Sequence, residues 1–275
     1  MIRLLSVSII ALAIIGAYYF NRIELSFFGL QRLATSQMST SLQPIGSSIS
    51  YSCGTQNVQP HFLSYDPVLV YIESFLSPYE AQHLKELALS HYSSSTITAS
   101  KENHKNEDVD GDIRRSETAW LPSPDPVVDC VRQRAANFQG LSSNKSMEAL
   151  AAVRYNTGQE YKAHFDWNPF TKRPSDRRTS FFAILDANCT GGATHFPKVK
   201  SIAWGSDKRW CDWLDCSRPL EEGIFVRPIV GNALFWVNFK EDGTGHPATL
   251  HAGMPVVEGT KIGLNMWTYG KTSRK

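Results

Sequence analysis

His164-Phe165-Asp166 places an imidazole and a carboxylate two positions apart. Along an extended segment successive side chains alternate between faces, so both groups project to one side. His251 lies far downstream in Thr249-Leu250-His251-Ala252-Gly253, and Lys261 follows ten positions later in Gly259-Thr260-Lys261-Ile262-Gly263-Leu264-Asn265. Two imidazoles and one carboxylate can occupy one face of an octahedron around a ferrous ion and leave three positions open. A lysine close to such a face can hold the far carboxylate of a chelating 2-oxo acid. Each piece alone has an ordinary reading: a His near an Asp is commonly a hydrogen-bonded pair, and a lysine is commonly solvated. The neighbours Ile262, Leu264 and Met266 read as a buried strand, however, where an unpaired ammonium is costly and an anionic ligand is the expected partner. A zinc hydrolase is disfavoured, because no general base is indicated and Lys261 would have no role.

Residues so distant in sequence need a fold that brings separate strands together. The strand-like Val68-Leu69-Val70-Tyr71-Ile72 is followed by Ser77-Pro78-Tyr79-Glu80, a capping box with proline at the first helical position. Ala81, Leu84, Leu87 and Ala88 continue at helical spacing and predict a helix to about Ser90. A second helix is predicted over 125–138, stopped by Gly140. Lys101 to Asp112 is charged and poor in apolar residues, which predicts an exposed loop. From Met147 onward short strands alternate with turns: 148–155, 162–166, 180–185, 193–196, 223–228, 233–238, 251–257 and 261–269. Two helices followed by such strands predict an α+β, mainly β chain built as a double-sheet jelly roll, with the helices on one face.

The bulk composition excludes little but says where the chain is headed. With 275 residues, 42% of them hydrophobic, and a mean hydropathy of −0.27, a sizeable core is affordable. A net charge of +2 without a basic cluster argues against a nucleic-acid partner. Leu4 to Phe20 is an apolar run of about 17 residues that ends in Tyr18-Tyr19-Phe20 and Arg22, with no small-residue cleavage site. Residues 1–22 are therefore expected to form an uncleaved signal anchor, in preference to a cleaved signal. Residues 23–66, rich in Ser, Thr, Gln and Gly from 34 to 60, are expected to form a flexible stem, and 67–275 the catalytic domain. Five cysteines without a zinc spacing, Cys53, Cys130, Cys189, Cys211 and Cys216, suit an oxidising lumen in which Cys211 and Cys216 can pair. The sequons at Asn144 and Asn188 would be usable there.

The ordered motifs carry a more specific signal. Arg154-Tyr155, then Gly158-Gln159-Glu160-Tyr161-Lys162-Ala163-His164-Phe165-Asp166, then Gly191-Gly192-Ala193-Thr194-His195-Phe196-Pro197 are followed by Gly231-Asn232-Ala233-Leu234-Phe235-Trp236 and by His251-Ala252-Gly253 through Trp267. Across residues 67–270 this chain resembles the catalytic domain of prolyl 4-hydroxylases, which are Fe(II)/2-oxoglutarate dioxygenases. The resemblance implies a double-stranded β-helix, an L-ascorbate requirement, and hydroxylation of peptidyl proline to 4-hydroxyproline with release of succinate and CO2. It assigns His164, Asp166 and His251 to iron, and Lys261 to the 5-carboxylate of 2-oxoglutarate. Tyr155 and Thr194 match positions that bond the same carboxylate, and Trp267 matches a tryptophan of the pocket wall, although core packing would explain all three. Lysine at position 261 favours the prolyl 4-hydroxylase branch over related enzymes with arginine there.

The resemblance also leaves alternatives open. Arg114-Arg115-Ser116-Glu117-Thr118-Ala119-Trp120 resembles a strand beside the active site, and the charged loop before it corresponds to a flap over peptide. The Trp204 to Arg218 insertion is similar to fungal-type single-chain members and can shape a substrate groove, form a partner surface or be a disulfide-closed flap. The resemblance does not extend to the separate peptide-binding and dimerisation region of collagen-type α subunits, so collagen is not the expected substrate. A proline-containing peptide or protein is the expected partner, with a small-molecule substrate or an inactive binding barrel as the alternatives. The expected location is the endoplasmic reticulum membrane, catalytic domain lumenal, or the exterior after signal cleavage.

Overall fold

The computed structural model describes residues 51–54, 56–95, 114–170, 175–200 and 208–271. Strands are numbered in chain order. The larger antiparallel sheet has the spatial order β1 (Gln59–Tyr65), β2 (Val68–Glu73), β10 (Ala233–Val237), β7 (Ser175–Gly191), β12 (Val256–Lys271), β5 (Ala151–Asn156), β4 (Glu117–Trp120) and β3 (Ser93–Ser94). The smaller sheet runs β6 (Tyr161–His164), β11 (His251–Gly253), β8 (Thr194–Phe196) and β9 (Ile224–Val226). Two helices, α1 (Pro78–Ala88) and α2 (Pro126–Phe138), cover the outer face of the larger sheet. This is the expected mainly β jelly roll.

Period-two alternation sorts the larger sheet into two cores. Val70, Ile72, Phe181, Ala183, Phe235, Leu264 and Met266 point outward to the helices. Leu69, Tyr71, Phe182, Ile184, Leu234 and Trp236 point inward, where Phe196, Ile224 and Val226 of the smaller sheet meet them. The helices start where the sequence indicates. Ser77 accepts from the Glu80 amide while Glu80 accepts from the Ser77 amide, and the Asp125 side chain accepts from the amides of Val127 and Val128. Glu80 is fully buried; Arg134 on α2 grips both its carboxylate oxygens at 2.6 and 2.9 Å, and Tyr51 donates to it at 2.7 Å. The guanidinium, the tyrosine and the Ser77 amide outweigh the burial that alone would raise the Glu80 pKa, and hold it below its usual range.

Three expectations need correction. The stem does not extend to residue 66: β1 pairs along β2, Leu63 is fully buried, and Cys53 is disulfide-bonded to Cys130. Its polar composition hid a strand that buries only one short stretch. The predicted strand 251–257 is two elements, because Pro255 has no amide to donate and β11 stops at Gly253. The break predicted before Lys261 is absent: β12 runs through Gly259, whose φ is +86° and whose missing Cβ would lie 2.1 Å from the Asn188 carbonyl oxygen. That glycine serves a close approach between β7 and β12, and makes no turn.

Cys211 and Cys216 do pair, which leaves Cys189 as the free thiol. The described part of the insertion packs on the sheet: Leu214 is fully buried, and Trp213 stacks on Tyr71 with ring centroids 5.3 Å apart. The expected anchor, the stem up to residue 50, the charged loop 101–112 and Trp204 lie outside the described residues. No helix among the described residues is long and apolar enough to cross a membrane.

Candidate active site

His164 ends β6 and His251 opens β11, and the two are direct cross-strand partners. Their rings lie 4.3 Å apart between centroids. Asp166 stands just past the end of β6, so the pair His164/Asp166 is shared between a strand end and the bend that follows it. Single ligand atoms of His164, Asp166 and His251 all lie within 4.8 Å of one another. Each imidazole places Nδ1 2.9 Å from a backbone carbonyl, His164 on Lys162 and His251 on Thr249. With Nδ1–H donating there, Nε2 of both rings carries a free lone pair for a metal.

Supporting contacts hold these donors. Ser180 on β7 donates to Asp166 Oδ2 at 2.6 Å, and Asn238 donates to the Ser180 hydroxyl at 2.9 Å. Trp236 meets the His251 ring edge-on at 4.9 Å, and Phe196 stacks on it at 5.4 Å. Burial, with His251 beside it, pushes the His164 pKa down to about 3, so the imidazole is neutral at physiological pH and free to ligate. Burial alone would raise the Asp166 pKa, but His251, His164, Arg177 and the Ser180 hydroxyl together hold it below the usual carboxylate range.

Across the gap, the inward face of the larger sheet supplies the rest. Lys261 on β12 is 1% exposed and pairs in register with Tyr155 on β5. Its ammonium donates to the Gly192 carbonyl at 2.6 Å, and lies 5.5 Å from the Tyr155 ring centre and 5.1 Å from that of Phe182. No carboxylate among the described residues forms an ion pair with it. Burial pushes its pKa down to about 8, and that of Tyr155 up to about 12. Trp267, on the same face of β12, stacks under the Arg177 guanidinium at 3.6 Å, and Arg177 is bound by both oxygens of Glu148.

All seven sequence-predicted residues, His164, Asp166, His251, Lys261, Tyr155, Thr194 and Trp267, line one cavity of about 200 Å³. Sequence reasoning missed Ser180, Asn238, Arg177 and Tyr161, which stacks on His164 at 3.5 Å. Ser180 shares its strand face with Phe182, but nothing local in the sequence marks it as the partner of Asp166. Trp210 and Trp213 of the insertion do not line this cavity.

The donor set fits a ferrous ion with a chelating dianion. Three ligands converge from one side, and a buried, otherwise unpaired ammonium waits in the same cavity. Comparisons with known proteins agree. The sequence pattern of the 2OG-Fe(II) oxygenase superfamily matches residues 150–269. Prolyl 4-hydroxylase 2 of Arabidopsis thaliana is 30% identical over 254 residues, covering 90% of this chain and 81% of the relative. Prolyl 4-hydroxylase 1 of the same plant is 28% identical over 223 residues, covering 79% and 74%. The crystal structure of a viral collagen prolyl hydroxylase from Paramecium Bursaria Chlorella virus-1, as its 2OG complex, superposes with a TM-score of 0.51 at 22% identity. That match covers 74% of this chain and 95% of the viral one, and it bears on the fold alone. The fold and site define a 2-oxoglutarate-dependent dioxygenase that uses Fe(II). The chain belongs to the prolyl 4-hydroxylase family of the 2OG-Fe(II) oxygenase superfamily.

Proposed function

We propose that this enzyme hydroxylates peptidyl proline to 4-hydroxyproline, with His164, Asp166 and His251 holding iron and Lys261 holding the 5-carboxylate of 2-oxoglutarate. The observation that carries the reading is the convergence of the three donors with the buried Lys261 ammonium in one cavity. When bound, iron and 2-oxoglutarate supply activation of O2 and hydroxylation of an unactivated C–H bond, with succinate and CO2 released. The chain's own residues bind, orient and exclude. The Lys162 and Thr249 carbonyls keep both imidazoles in the ligating tautomer, and Ser180 fixes the rotamer of Asp166. Lys261, beside Tyr155 and Thr194, fixes one end of the cosubstrate. Trp236 packs edge-on against the His251 ring, and the Arg177-braced Trp267 forms part of the cavity wall.

An L-ascorbate requirement belongs to this reading, as the family resemblance implies. The location proposed is the lumen of the endoplasmic reticulum, with the N-terminal segment as membrane anchor. The Cys53–Cys130 and Cys211–Cys216 bonds support an oxidising compartment. The test is succinate release together with a +16 Da shift on proline peptides, with and without Fe(II) and 2-oxoglutarate. Succinate formed only on free amino acids or metabolites would replace the peptide by a small molecule. Normal turnover by both His164→Ala and Lys261→Ala would overturn the site.

A further inference from the structure

Arg114 lies where the two sheets meet. Its backbone bridges to Tyr161 of β6, and its side chain lines the cavity. The guanidinium sits 4.7 Å above the Tyr161 ring, which itself stacks on His164. Among the described residues it is propped by hydroxyls and by no acid: Nε donates to Ser116 Oγ at 2.9 Å and Nη2 to Thr118 Oγ1 at 3.2 Å. Ser95 Oγ ties those two hydroxyls together at 2.8 and 2.7 Å. A guanidinium has about five N–H donors in a rigid fork, so most of this one's donors are left over.

The arginines around it differ. Arg115 pairs with Glu160 at 3.3 Å, Arg154 with Glu117 at 2.8 Å, and Arg177 with Glu148. Glu117, the immediate neighbour of Ser116, is thus already engaged on the outer face. Among the described residues Arg114 forms no ion pair. With a ferrous ion and the dianionic cosubstrate bound, their charges would cancel; Asp166 offsets Lys261, and Glu148, just outside the cavity lining, offsets Arg177. Among the described lining residues, the charge without a counterpart is that of Arg114.

We infer that Arg114, set on the Ser95–Ser116–Thr118 hydroxyls, is a specificity-determining subsite for a carboxylate on the substrate, an Asp or Glu side chain close to the target proline. The planar fork matches a carboxylate in bidentate fashion, and the half-buried setting of Arg114 strengthens the pair relative to open solvent. The inference rests on the peptidyl-proline reading for the identity of the reacting residue, but its test is a binding measurement.

Fluorescent proline peptides carrying Glu, Gln or Lys at successive positions on either side of the proline are titrated by anisotropy into the full chain loaded with Mn(II) and 2-oxoglutarate. At one position the Glu peptide is expected to bind at least about tenfold tighter than the Gln peptide, with Lys weakest. Arg114→Gln should remove the Glu preference, and Arg114→Glu should turn it toward Lys, with thermal unfolding reporting that each variant is folded. If Arg114→Gln does not fold, Thr118→Val, which removes one prop, should shrink the same preference. Affinities within about threefold across the wild-type panel, no measurable binding of any peptide, or a Glu preference that survives Arg114→Gln each overturn the subsite. Tight, Arg114-dependent binding of Glu peptides that yields no succinate in the Fe(II) enzyme would leave the subsite standing and remove the hydroxylation reading instead.

Discussion

Lys261 is a charge that the ligand-free fold tolerates poorly and the cosubstrate needs. Its pKa is pushed down from 10.5 to about 8 by burial, so the folded chain disfavours the ammonium. In the absence of ligand, stability contributed by this group therefore rises as pH climbs from about 8 toward 10.5, where the unfolded chain binds more protons. Binding of the 5-carboxylate requires the ammonium, so 2-oxoglutarate affinity should fall as pH passes upward through about 8, measured by calorimetry across that range. Lys261→Met should weaken 2-oxoglutarate by about 10- to 100-fold while leaving the ligand-free melting temperature unchanged or higher. A melting temperature lowered along with affinity would mean that the lysine is a structural prop. Ser180→Ala removes the hydroxyl that fixes Asp166 and should cost about 10-fold or more in metal affinity with little change in fold, read by metal titration.

At the scale of elements, the site depends on how closely β7 and β12 approach beside Lys261. Gly259 has φ +86° and no room for a Cβ against Asn188. Gly259→Ala should destabilise by about 1–3 kcal/mol, and raise the Km for 2-oxoglutarate by shifting Lys261 two residues away. Circular-dichroism melts and steady-state kinetics separate the two effects. The helix layer is held by a different device. Arg134→Ala would leave Glu80 buried without its cation and should cost about 3–5 kcal/mol, whereas activity per folded molecule should be retained. Strand and helix positions in this layer were legible because apolar period and capping residues act locally. The predicted strand runs past Pro255, whose missing amide ends β11 early, and Gly259 reads as a break because glycine signals both a turn and a close approach.

Over the whole molecule, the Cys53–Cys130 bond fastens the first described residues to α2 across 77 positions of chain. Chain entropy predicts about 4.5 kcal/mol from so long a loop, against about 2 kcal/mol for the short Cys211–Cys216 loop. Calorimetry of Cys53→Ser and Cys211→Ser should therefore show the larger loss for the former; equal losses would place the stabilisation in the native state instead. The division between sequence and tertiary structure follows from range. The sequence by itself determined the ligand types, the His-x-Asp spacing, a lysine in an apolar strand and the alternating strands, because these are local or depend only on chain order. Only the tertiary structure decided that β6 and β11 pair His164 with His251, and that Ser180 reaches Asp166 from another sheet. Among the described residues it alone left Arg114 without an acid while its neighbours found theirs. Such pairings are set by how the two sheets face each other, and no spacing along the chain encodes them.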